Sequence, residues 1–164
     1  MSRAVAFAPD AAGQDAAAGE DSAARKTLVP LPWMDILVTG VQELDDWHRR
    51  LLGECNDLVR ARNAGAPLAL LVVRAKRMIA NVTDHFAIEE GLMRRTGFLR
   101  LNQHTAEHAR VRRELPLLVA ALEASGTDDA DVDHSLGRLQ FALLDLLLRH
   151  DLDYRSHLLD VQGR

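Results

Sequence analysis

From His85 to His108 the chain reads HFAIEEGLMRRTGFLRLNQHTAEH, and this stretch restricts the fold more than any other. It holds a His and a Glu four apart (His85, Glu89), a break around Thr96 to Leu99, and then two His four apart (His104, His108). Residues four apart on an α-helix share a face, one turn from each other, so each pair can aim two donor groups at a common point. One such pair arises by chance on many helices. Two pairs facing each other across one turn are more restrictive, because imidazole and carboxylate together make up the ligand set of non-haem iron.

The surrounding pattern is helical throughout. Hydrophobic residues make up 48% of the chain but aromatics only 4%, a bias that favours helix over sheet. Apolar spacing predicts a first helix from about Val41 to Arg62, stopping at Asn63-Ala-Gly-Ala-Pro67. A second follows Pro67 and ends near Gly97. The third starts after Asn102 as N-cap and continues to about Ala124 with a kink at Pro116, and the fourth extends from about Asp131 to His157. Short connections between four helices predict an all-α, antiparallel up-and-down four-helix bundle, whose cofactor sites lie between facing helices.

Residues 1–27 are rich in Ala, Gly and Asp with hardly any large apolar side chain, a composition that cannot offset its ordering entropy. They are expected to form a disordered tail, followed by one domain over residues 28–160. From Leu28 to Gly40 two prolines and Trp33 predict an extended arm packed across the helices.

Antiparallel neighbours place residues equidistant from their turn at one height. About Phe98, Glu89 lies nine residues before and His108 ten after. About Gly65, the level partner of His48 falls near Val82, within one turn of His85. About Asp128, the level of Ala106 falls near His150. At roughly 1.5 Å per residue these offsets stay within about one turn, so His48, His85, Glu89, His104, His108 and something between Leu146 and Asp151 stack in one layer. Burying several imidazoles and a carboxylate is costly unless a metal holds them. Ligands without thiolate suit iron, with manganese and zinc behind it. Leu44, Leu51, Val82, Phe86, Leu143 and Leu147 would form the dry wall. Asp45, Asp46, His134, Asp153 and His157 read as surface groups, and Cys55 as a small buried apolar residue.

These residues resemble the hemerythrin family. The likeness runs from about Pro32 to Leu158 and rests on Trp33 and Gly40 in the arm, LDDWH ending at His48, Asn56, HFAIEE from His85 and HTAEH from His104, in that order. The resemblance implies two non-haem iron ions with an oxo or carboxylate bridge, one held by His104 and His108 and the other by His48 and His85. Glu89 and an Asp of the fourth helix would bridge them. It further implies a protein that binds dioxygen or another small diatomic ligand as carrier, store or sensor, rather than an enzyme. The alternatives are an enzyme reacting with peroxide or nitric oxide, and a regulatory bundle with weakened metal binding.

The fourth helix departs from the family pattern of a His followed five residues later by the bridging Asp. Aligning DLDYRSHL with the family's usual run puts Asp151 at the bridge and Leu146 where the fifth His belongs. Aligning His150 instead would put Arg155 at the bridge, and a cation cannot ligate iron. The first alignment is preferred, and it leaves six protein ligands: His48, His85, Glu89, His104, His108 and Asp151.

Other classes are disfavoured. A net charge of -4 and a pI near 5.9 leave no basic patch for nucleic acid. No apolar run reaches the about 18 residues needed to span a bilayer. A single cysteine precludes an internal disulfide, and with no secretory or transit signature a cytoplasmic location is expected. The oligomeric state is left open.

Overall fold

The computed structural model describes residues 27–149 and 154–158. Four helices carry the chain: α1 (Gln42–Asn63), α2 (Leu68–Thr96), α3 (Leu101–Ala124) and α4 (Asp129–Arg149), with a helical turn again at residues 154–158. There is no strand among the described residues. Each helix packs on the next in sequence, and α1 also touches α4, closing the antiparallel bundle that the apolar spacing predicts.

The turn between α2 and α3 sets the height at which their side chains meet. Gly97 sits in the left-handed region (φ 68°), the Phe98 N–H bonds the Met93 carbonyl at 3.0 Å and the Gly97 N–H bonds that of Arg94 at 3.4 Å. This is a Schellman stop, and its customary hydrophobic contact is present, since Met93 and Phe98 share one buried cluster. A Cβ at residue 97 would be strained in that backbone conformation. The stop also corrects the expected start of α3. The Leu101 N–H turns back to the Phe98 carbonyl at 3.2 Å, so the helix begins at Leu101 and Asn102 lies inside its first turn rather than capping it. At the other end of the bundle Asp128 caps α4, its Oδ1 accepting from the Ala130 and Asp131 amides at 2.8 and 3.2 Å. The third helix continues through Pro116 to Ala124.

The arm before α1 lies along α1 and α4. Asn56 of α1 grips Leu31 on both sides, accepting from its N–H at 2.7 Å and donating to its carbonyl at 2.8 Å. Asn63 donates to the Leu28 carbonyl at 2.8 Å, and Gln140 of α4 donates to that of Val29 at 2.7 Å. The arm ends in a 3-10 turn, Asp35–Leu37, whose Leu37 is buried with Leu51, Val82 and Leu147. Asp45 is not the surface charge expected. It is buried, and its Oδ1 accepts from the Thr39 amide at 2.6 Å and the Thr39 hydroxyl at 2.8 Å, pinning the arm to the start of α1. Asp46, by contrast, is exposed and pairs with Arg49.

Three apolar clusters fill the bundle. One surrounds Leu58, Leu71 and Leu139 at the far end. A second holds Leu51, Val82, Phe86, Leu143, Leu146 and Leu147, and a third Leu44, Met93, Phe98, Tyr154 and Leu158. Leu44 and Leu51 flank His48 in sequence, and Phe86 and Met93 flank Glu89. The polar layer therefore lies between two dry ones, and all six residues expected to wall it are buried. No helix is long and apolar enough to cross a membrane among the described residues.

Candidate metal centre

His48 of α1, His85 and Glu89 of α2, and His108 of α3 are fully buried, and His104 of α3 is 6% exposed. Helical periodicity explains the pairs: His85 and Glu89 are one turn apart, as are His104 and His108, and the Gly97 stop brings the two turns level. Glu89 is the hub. Its Oε2 lies 3.4 Å from His104 Nε2, 3.3 Å from His108 Nε2 and 3.7 Å from His85 Nε2. The His48 and His85 rings meet edge to face with centroids 5.2 Å apart. Glu89, His104 and His108 each offer a ligand atom within 4.8 Å of the others, a spacing that could hold a metal ion. Asp151 and His150 lie outside the described residues.

Two of the rings, His48 and His108, are aimed by what binds their outer nitrogen. The Leu37 carbonyl, which can only accept, lies 2.8 Å from His48 Nδ1. That nitrogen therefore carries the proton, and Nε2 keeps its lone pair. On α3, His108 Nδ1–H donates to Glu90 Oε1 at 3.0 Å, and Glu90 is held in turn by Arg112 and Arg94, each at 3.2 Å. Phe86 stacks flat on His108 with centroids 3.7 Å apart and planes 13° from parallel.

The protonation states suit a cation. Burial pushes the His85 imidazole down to about 4, further than the opposing pull of Glu89, so it is neutral near pH 7. Burial alone would raise Glu89, but the His104 and His108 imidazoles beside it outweigh that and hold the carboxyl well below the usual range. The centre therefore sets a carboxylate beside the neutral His85 ring.

Several of those polar atoms have nothing to bond. Both ring nitrogens of His85, His108 Nε2 and Glu89 Oε1 are buried without a hydrogen-bond partner. Unmet buried groups of this kind cost about 1–3 kcal/mol each, and here they converge. A cation would use those lone pairs together, so the residues fit a metal. The donors are nitrogen and oxygen, a set that suits iron. Cys55 does not join them; it is buried in the apolar cluster and its thiol is pushed up to about 12 by burial.

Sequence reasoning missed three features. Glu90 was passed over because nothing in HFAIEE distinguishes a carboxylate that supports His108 from one on the surface. The Leu37 carbonyl is a backbone group with no sequence signature. His157, expected at the surface, is half-buried, its Nε2 3.0 Å from the Thr96 carbonyl at the end of α2. His134 is exposed, as expected.

A helical bundle with buried imidazoles and carboxylate converging from facing helices defines a metal-binding domain of the bundle-core type. The chain belongs to the hemerythrin family: residues 39–159 match the Hemerythrin HHE cation binding domain. It is similar to the Bacteriohemerythrin of Pseudomonas aeruginosa (strain LESB58), 32% identical over 81 residues, 49% of this chain and 52% of that protein. To the Bacteriohemerythrin of Pseudomonas paraeruginosa it is 31% identical over a stretch of the same length. The aligned part thus spans about half the length of these relatives.

Proposed function

We propose that this chain is a non-haem di-iron protein that binds dioxygen reversibly in the bundle core. The observation that carries this reading is the set of lone pairs converging on Glu89 in a dry layer. His104 and His108 would hold one iron, His48 and His85 the other, with Glu89 between them and Asp151 as the second bridging carboxylate. Bound iron would supply the electrons that dioxygen accepts. The protein's part is to keep the His48 and His108 rings aimed, through the Leu37 carbonyl and Glu90, and to exclude water with Leu44, Leu51, Phe86 and Met93.

Leu146 gives the site its particular character. It is 2% exposed and clusters with Leu51, Val82 and Phe86, which supports the alignment that puts hydrocarbon where the family pattern has its fifth imidazole. Six protein ligands then serve two irons, and more positions are left for exogenous ligands. That same opening supports a second reading, in which peroxide or nitric oxide reacts at iron.

Anaerobic loading with ferrous iron, metal analysis and absorption spectra before and after oxygen test the proposal. Two irons per chain and a near-ultraviolet and visible band that appears with oxygen and fades on its removal are expected. A protein that stays iron-free and colourless overturns the proposal, and sustained peroxide-dependent turnover would favour the second reading.

A further inference from the structure

The α3 half of the centre has a charged support on one of its rings. The His48 ring is braced by a neutral carbonyl, and neither nitrogen of His85 has a hydrogen-bond partner. His108 is braced by an ionised carboxylate. Glu90 is 9% exposed, close to the protein surface but not in it, and two guanidinium groups converge on it from different helices: Arg94 one turn along α2 and Arg112 across on α3. Arg112 has a second contact, its guanidinium carbon standing 5.0 Å over the Phe86 ring, whose stacking on His108 is described above. One cation thus holds both groups that fix His108: the carboxylate at its Nδ1 and the ring against its face.

We propose that Glu90 is a positioning residue that makes the His104/His108 half of the centre the tighter metal position, and that Arg112 holds Glu90 and Phe86 in place for that task. The inference rests on the metal-binding reading above and goes beyond it by assigning an order of filling. An anionic acceptor at Nδ1 does two things that a carbonyl does not. It fixes the ring with Nε2 free of its proton, and it pushes electron density towards Nε2, making that atom a stronger donor to a metal. A neutral acceptor fixes the ring but transmits less charge. Removing such a partner ordinarily weakens metal binding by about 10–100-fold.

The test compares the full-length protein with its Glu90→Gln and Arg112→Met variants. Glu90→Gln keeps size and an acceptor oxygen but removes the charge; Arg112→Met keeps apolar cover over Phe86 but removes one of the two cations. Each is titrated without oxygen, first with cobalt(II), read by its visible ligand-field bands, and then with ferrous iron against a competing chelator. Circular dichroism and thermal melts with chelator report folding. In the wild type the first equivalent should bind more tightly than the second. Glu90→Gln should weaken that first equivalent about 10–100-fold, shift the cobalt bands and leave the second equivalent nearly unchanged, while Arg112→Met has a smaller effect in the same direction. A merely structural role would lower the melting temperature and leave both the bands and the ratio of the two affinities unmoved. Unchanged affinities in both variants, with the wild type binding two equivalents, overturn the role of Glu90 and leave the di-iron reading standing. A wild type that takes up neither metal overturns both.

Discussion

Replacing His85 by Leu should stabilise the metal-free protein and weaken its response to iron. The ring is fully buried and neither nitrogen has a hydrogen-bond partner, so the folded chain carries two unmet polar atoms at about 1–3 kcal/mol each. A leucine removes both, and its imperfect match to the imidazole outline takes back about 1 kcal/mol. The net gain at pH 7 is about 1–5 kcal/mol, or roughly 2–20 °C in Tm for a chain of this size. Acid widens the difference between the two proteins. The His85 imidazole titrates at about 4 in the folded protein because burial depresses it, but near 6.5 when unfolded. Between those values the unfolded chain holds the extra proton, so wild-type stability falls as the pH drops from about 6.5 towards 4 and this contribution does not change further below. At about 1.36 kcal/mol per pH unit the whole window is worth about 3 kcal/mol. Urea unfolding with a chelator, at pH 7 and pH 4.5, measures both effects as midpoint shifts at constant slope. The variant should be the more stable at each pH and should lose less on acidification, while iron should raise its melting temperature by less than the rise expected for the wild type. A His85→Leu protein no more stable than wild type in chelator, with the same loss in acid, would show that the core does not bear this strain and that His85 is satisfied in some other way.

Two further substitutions probe α4 and the arm. Leu146→His should raise iron content or affinity and slow oxidation of the ferrous protein, while destabilising the metal-free form by about 1–3 kcal/mol through a newly buried imidazole; unchanged iron content and oxidation rate would remove Leu146 from the site. Asn56→Ala should strip the Leu31 amide and carbonyl of their partners and lower stability by about 2–3 kcal/mol. In a Trp47→Phe background, Trp33 fluorescence should shift to the red as the arm loosens; an unmoved spectrum and urea midpoint would mean that the arm is held elsewhere.

The helices and the ligand pairs were legible because their signals are local. Apolar residues three and four apart, Gly97 and Pro67 at the breaks, and His85/Glu89 and His104/His108 one turn apart each depend on a few neighbouring residues. The equal spacing of Glu89 and His108 about Phe98 carried this one step further, since a short turn transmits register from one helix to the next. Other positions depended on a partner outside their own helix. Asp45 and Asp46 are neighbours of one type, yet only Asp45 meets Thr39 and is buried. Glu89 and Glu90 are likewise adjacent, and the rotation of α2 against α3 turns one inward to three imidazoles and the other sideways to His108 Nδ1 and Arg112.

Periodicity and stop signals alone thus determined that this chain makes a four-helix bundle, and which imidazoles and carboxylate share a layer. Only the packed structure decided how the His48 and His108 rings are aimed, because a hydrogen bond to a distant carbonyl or carboxylate depends on helix rotation and on a backbone path through the arm. Neither of those is encoded within a few residues of the histidine it orients.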